Sequence, residues 1–127
     1  MARPAFAELG GIDRATSIAV LTHDPKLDDA VLQIALRSDA KYVGAMGSRR
    51  AQEKRRARLL DAGLDDRDLE RLAAPIGLDI GAATAEETAL SILAEIIAVR
   101  HGHEGRRLAE VKGQIHGEAA RTAVAAQ

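Results

Sequence analysis

The chain has 127 residues, 46% of them apolar and 29% charged, with a net charge of −1 at pH 7, which suits one globular domain with a single core. Near-neutral charge removes any global pull toward nucleic acid or anionic membrane, and one Tyr, one Phe and no Trp leave no platform on which bases could stack. The absence of Cys excludes disulfides and thiolate metal sites and suits a reducing compartment.

No apolar run approaches the ~20 residues of a membrane span. The N-terminus lacks a basic stretch followed by an apolar run, the mark of a signal peptide. A cytoplasmic location is expected.

In chain order, Arg3-Pro-Ala-Phe6 reads as an extended entry segment, and Gly10-Gly11 breaks any helix. Ser17 to Thr22 is a short, nearly continuous apolar run, the pattern of a strand covered on both faces. His23-Asp24-Pro25 ends it, and Asp24 or Asp28 can cap the helix that follows. That helix is expected to turn Leu27, Val31, Ile34 and Ala35 toward the core. Tyr42 to Met46 is the second strand. A basic helix runs from Arg49 to about Ala62, with Gly63 suited to its C′ position.

A short helix with an acidic start is expected over Asp66–Leu72. Ile76, Leu78 and Ile80 alternate, which predicts a third strand or a strand-like approach to a loop. Thr84-Ala-Glu-Glu87 is a capping box that opens a helix reaching about Arg100. Its residues Ala89, Leu90, Ile92, Leu93, Ile96 and Ile97 form a wide apolar face that predicts packing on the sheet. Gly102 and Gly105 stop it. The rest reads as an irregular tail in which His101, His103 and His116 are solvated. The domain is expected over residues 1–116, with 117–127 irregular or loosely helical.

The order β-α-β-α-α-β-α argues for an α/β layered domain with a small, mostly parallel sheet. In such a sheet every strand-to-helix junction opens on the rim at the carboxyl ends of the strands, where open α/β sheets bind ligands. Three junctions stand there: Thr22-His23-Asp24-Pro25, Gly44-Ala-Met-Gly-Ser48 and Asp79-Ile-Gly-Ala-Ala-Thr84. The opposite junction, Arg37-Ser-Asp-Ala-Lys41, reads as a solvated turn.

The stretch Tyr42-Val-Gly-Ala-Met-Gly-Ser-Arg-Arg50 is the most informative. Gly44 and Gly47 suit a sharp turn or close approach of a ligand. Ser48 is a good N-cap, and a helix N-terminus attracts anions. Arg49 and Arg50 match phosphate or carboxylate geometry. Taken singly these signals are weak: Gly-x-x-Gly often only shapes a turn, and His23 beside Asp24 is more often a polar turn than a catalytic pair. Most of the basic helix reads as a solvated face. Arg55 is the exception, because it shares a stripe with Ala51, Leu59 and Ala62. A buried guanidinium requires a carboxylate, backbone carbonyls or a ligand phosphate, and Asp79 or Asp24 is the expected carboxylate through which Arg55 anchors the rim.

Four segments together resemble the XdhC/CoxI accessory proteins of molybdenum hydroxylases: Leu21-Thr-His-Asp-Pro-Lys26, Tyr42–Arg50, Ala74-Pro-Ile-Gly-Leu-Asp-Ile-Gly-Ala82 and Glu86–Ile97. The resemblance spans roughly Arg3 to His116. It implies a Rossmann-like C-terminal domain without its first glycine-rich βαβ unit, since no Gly-x-Gly-x-x-Gly occurs. It also implies binding of molybdenum cofactor, help with its sulfuration, and insertion into a xanthine dehydrogenase-like client.

Carried over residue by residue, the cofactor-binding positions are His23, Asp24, Gly44, Gly47, Ser48, Arg49, Arg55, Asp79 and Gly81. No catalytic residue and no resident metal are assigned; the expected role is a maturation factor rather than an enzyme. A homo-oligomer, or a separate chain carrying the missing half, is the expected assembly. The alternatives are a nucleotide-dependent oxidoreductase fragment using NAD(P), and a non-catalytic domain that completes a partner's sheet.

Overall fold

A computed structural model describes residues 11–112. The expectations for Arg3–Phe6, for His116 and for 117–127 lie outside the described residues.

The elements follow the order read from the sequence. Strand β1 (Ser17–Val20) leads to helix α1 (Pro25–Ala35), strand β2 (Tyr42–Ala45), helices α2 (Arg49–Asp61) and α3 (Asp66–Glu70), strand β3 (Leu72–Ala73) and helix α4 (Ala85–Arg100). A short 3-10 turn covers Leu108–Glu110. The sheet order is β1-β2-β3. Both pairings are parallel, with Ile18 opposite Val43, Val20 opposite Ala45, and Val43 opposite Leu72.

Strand alternation divides the side chains between two helical layers. Ile18, Val20, Val43 and Ala45 point to one face, where they join Leu32, Ala35 and Leu36, with Leu59, Leu64 and Leu69, in the main core. Leu32 and Leu59 are completely buried, each stabilising the fold by about 1.5–3 kcal/mol. Tyr42 and Gly44 point to the other face. There α4 packs on β2.

Contact between α4 and β2 is polar at its centre. Glu95 accepts a hydrogen bond from the Tyr42 hydroxyl (2.6 Å) and another from Gly77 N–H (2.9 Å). Burial and the Glu95 carboxylate hold the Tyr42 phenol well above its ordinary value of 10.0. Ser91 Oγ donates to the Leu78 carbonyl (2.7 Å), and Leu78 N–H donates back to the Ser91 carbonyl. These bonds tie the 76–81 segment to α4.

Five expectations are corrected. The third strand is Leu72–Ala73, not Ile76–Ile80. Pro75 has no N–H to give a ladder, and Gly77 takes a left-handed φ of 103°, so a regular strand cannot form there. The strand-like approach survives at one bond, from Ile76 N–H to the Ala45 carbonyl (3.0 Å). Helix α3 correspondingly ends at Glu70, before the expected Leu72, after a capping box between Asp65 and Asp68.

The inner face of α1 is Asp28, Leu32 and Ala35, whereas Leu27 lies 48% exposed. The helix is rotated because Asp28 has partners inside, described below. The apolar surface of α4 is only partly used: Ser91, Ile92 and Ala98 are buried, while Leu90, Leu93 and Ile97 are exposed.

At the amino edge of the sheet the turn after α1 is more than solvated. Arg71 donates to the carbonyls of Leu36 (2.6 Å), Ser38 (2.9 Å) and Ala40. One guanidinium thereby satisfies three loop acceptors.

Candidate functional site: the carboxyl rim

Because all three strands run parallel, their exits share one rim, and the ladder links them directly. Met46 N–H donates to the Val20 carbonyl (2.9 Å), and Ile76 N–H to that of Ala45 (3.0 Å). His23 and Asp24 follow β1, Gly47, Ser48 and Arg49 follow β2, and Asp79 and Gly81 lie in the loop that follows β3. His23, Asp24, Ser48, Arg49, Asp79 and Gly81 are all exposed.

Gly44 is not on the rim. It sits inside β2, where a Cβ would strike the Tyr42 hydroxyl and lie 2.8 Å from Ile76. Its missing side chain lets the loop after β3 close over the strand. Gly47 shapes the corner itself: its φ is +139°, and a Cβ would lie 2.9 Å from Gln52 Nε2.

Helices start at all three junctions, but their N-termini differ. At α1 the Asp24 carboxylate accepts from Lys26 N–H (3.0 Å) and Leu27 N–H (3.5 Å). Pro25 contributes no N–H. The end of α1 is therefore occupied by the chain's own anion. At α4 the capping box fills the same role: Glu87 accepts from Ala83 N–H (2.8 Å) and Thr84 N–H (3.1 Å). Those amides hold the Glu87 carboxyl below its usual range, and Glu86 adds a second charge in the first turn.

The α2 terminus has no acidic residue in its first turn. Its neutral cap, Ser48, takes only Ala51 N–H (3.1 Å), which leaves the Arg49 and Arg50 amides pointing outward. Arg49 and Arg50 are themselves exposed. Of the three rim helices, α2 alone has neither an acidic cap nor an acidic first turn, the arrangement that favours anions at a helix N-terminus.

This corner is braced from beneath. Arg55 is 6% exposed and Asp28 2%. Arg55 Nη2 lies 3.4 Å from Asp28 Oδ2 and 3.3 Å from the Met46 carbonyl, and Nη1 donates to Gln52 Oε1. Gln52 Nε2 also donates to the Met46 carbonyl (3.2 Å). The Thr22 hydroxyl donates to Asp28 Oδ1. The network thus runs from the end of β1 through α1 to the end of β2 and into α2. Among the described residues, Arg55 Nε is buried without a hydrogen-bond partner.

The expected need of Arg55 for a carboxylate is met, but by Asp28 rather than Asp79 or Asp24. Asp28, Gln52, Thr22 and Glu95 were not among the candidates read from sequence. A lone carboxylate such as Glu95 between Ile92 and Ile96 is the kind of signal that marks a buried polar contact.

Gln52, Glu53, Arg56, Leu69, Leu72 and Ala74 line a depression of about 220 Å³. None of the nine candidate residues borders it, and its one arginine, Arg56, pairs with Asp66 (2.6 Å). The α2 terminus without acidic residues lies at the rim instead. Among the described residues no three His, Asp or Glu side chains cluster as a metal site would require. No helix among them is long and apolar enough to cross a membrane.

A parallel sheet with helices on both faces and a glycine-turned, anion-accepting corner defines a Rossmann-type α/β domain. The family model described as the XdhC Rossmann domain matches residues 1–96, and the chain belongs to that family.

Among curated relatives, the chain is 36% identical over 89 residues to the molybdenum cofactor insertion chaperone PaoD of Escherichia coli K12, covering 70% of this chain and 28% of PaoD. It is 33% identical over 78 residues to the uncharacterized protein YqeB of the same organism, covering 61% of this chain and 14% of YqeB. A solved structure described as a xanthine dehydrogenase from Bacillus halodurans is similar with a TM-score of 0.59 and 28% identity, over 85% of this chain and 29% of that one. The chain thus spans less than a third of the length of each of these relatives.

Proposed function

We propose that this chain is the cofactor-facing domain of a cytoplasmic accessory protein that carries molybdenum cofactor and inserts it into a xanthine dehydrogenase-like enzyme. The observation that carries the reading is the similarity to a molybdenum cofactor insertion chaperone, within a family match that includes the whole β2–α2 corner. The corner supplies the chemistry. The cofactor is cargo and carries a phosphate. The outward amides and guanidiniums of Arg49 and Arg50 suit that group. Gly47 and Ser48 set the backbone for it, and Arg55 holds the corner in place.

His23, Asp24, Asp79 and Gly81 border the same rim and are assigned to the pterin side, where carboxylates can accept hydrogen bonds from ring N–H groups. Gly44 acts indirectly, through the packing of the loop after β3. Protection of the cofactor during sulfuration is part of the proposal.

A second reading, a nucleotide-dependent oxidoreductase fragment, draws on the solved relative described as a dehydrogenase. One experiment separates the two. The protein is purified from a host that makes molybdenum cofactor, and bound pterin is oxidised to its fluorescent form and measured. It is then mixed with a cofactor-free molybdenum hydroxylase. The proposal expects bound pterin, faster activation of the client, and loss of both in Arg49→Glu/Arg50→Glu. Absence of pterin and of activation contradicts it, and nicotinamide-dependent hydride transfer in their place supports the second reading.

A further inference from the structure

Two side chains converge on a single carbonyl beneath the β2–α2 corner. The Met46 carbonyl accepts from Gln52 Nε2 (3.2 Å) and from Arg55 Nη2 (3.3 Å). One donor would satisfy the group; two occupy both of its lone pairs. Gln52 is held in turn, because its Oε1 accepts from Arg55 Nη1.

The consequence falls on the next amide. The Met46–Gly47 peptide is trans, so its N–H points away from its carbonyl. With the carbonyl drawn toward Gln52 and Arg55, Gly47 N–H is turned to the opposite side. Among the described residues nothing accepts from it. An amide of that kind in a native fold is met by water or by a ligand.

Glycine leaves this orientation open to change. Gly47 has φ +139°, and a glycine admits either sign of φ. The peptide before it can therefore turn over, through ψ of Met46 and φ of Gly47, and set a carbonyl oxygen where the N–H stands. An oxygen there repels an anion, whereas successive N–H groups attract one.

We propose that Gln52 is a positioning residue for the corner. Resting on the anion-receiving role proposed above, its bond to the Met46 carbonyl keeps the Gly47 amide turned outward, as a further donor beside the amides of Arg49 and Arg50. Arg55 alone is a weak restraint on that carbonyl. Its Nη2 is divided between Met46 at 3.3 Å and Asp28 at 3.4 Å, both long contacts. Gln52 adds the second bond from directly beneath the turn, close enough that a Cβ on residue 47 would lie 2.9 Å from Nε2.

The test is a titration of the ¹⁵N-labelled full chain with inorganic pyrophosphate, in the native protein and in two variants. Gln52→Met keeps the length of the side chain without its donor. Gln52→Glu keeps the acceptor for Arg55 Nη1 and removes only the donor to Met46. In the native protein the Gly47 amide proton should move downfield saturably and exchange more slowly with solvent. In both variants that response should be lost and binding weakened about tenfold, the effect of one hydrogen bond to a charged group. The Arg49 and Arg50 amides should still respond in Gln52→Met. Circular dichroism and urea unfolding establish that each variant is folded, which a purely structural role for Gln52 would not allow to coincide with a lost Gly47 response. A Gly47 amide that stays still in the native protein while those of Arg49 and Arg50 move overturns the inference and leaves the anion reading standing. So does a folded variant with an unchanged Gly47 response. No response anywhere in the corner overturns both.

Discussion

At the scale of single residues, Tyr42 is the most informative. It is 2% exposed and donates to Glu95, and both burial and that carboxylate favour the neutral phenol. The sign of the pH effect follows. The unfolded chain releases this proton near pH 10, whereas the folded chain retains it. The contribution to stability is complete below that pH and is lost as pH rises above it. Tyr42 is the only tyrosine and there is no tryptophan, so ultraviolet absorbance reports it alone. Native protein should show no tyrosinate signal near pH 10 and should gain it only together with loss of helical circular dichroism. Free titration at pH 10 in folded protein would show that the hydroxyl is not held as described.

At the scale of elements, the buried pair of Asp28 and Arg55 joins α1 to α2 and both to the strand ends. Arg55→Leu leaves Asp28 buried beside Thr22 alone, a loss of about 3–5 kcal/mol. Replacing both, as Asp28→Leu/Arg55→Leu, should cost less than the sum of the two single changes. Urea unfolding measures this, and simple additivity would mean that the pair does not act as a unit.

The sequence revealed part of this arrangement. Helical spacing identified Arg55 as the buried guanidinium, and the capping box at Thr84 and Glu87 stands where local chemistry requires it. The partner of Arg55 was not readable, because Asp28 lies 27 residues away and looks like a first-turn acid of an ordinary helix. The third strand was misplaced for a related reason. Alternating Ile76, Leu78 and Ile80 imitate a strand, while the pairing of Leu72 and Ala73 with β2 is a tertiary choice with little local signal.

At the scale of the whole molecule, the parallel order of strands was plain from the alternation of elements, and it places the three junctions on one rim. What the junctions have in common in sequence, polar residues before a helix, conceals how they differ in space. Asp24 and Glu87 fold back on their own helices and fill the N-termini of α1 and α4 with negative charge. Ser48 is neutral and leaves α2 open. The rim therefore narrows to one corner, Gly47 to Arg50, as the place proposed to receive an anion.

Titration of ¹⁵N-labelled protein with inorganic pyrophosphate, followed amide by amide, tests that claim most directly. The account predicts saturable shifts concentrated at residues 47–50, weakened by salt, with the amides of 25–28 and 84–87 almost unmoved. Larger shifts at the α1 or α4 terminus than at the β2–α2 corner, or none anywhere, would contradict it.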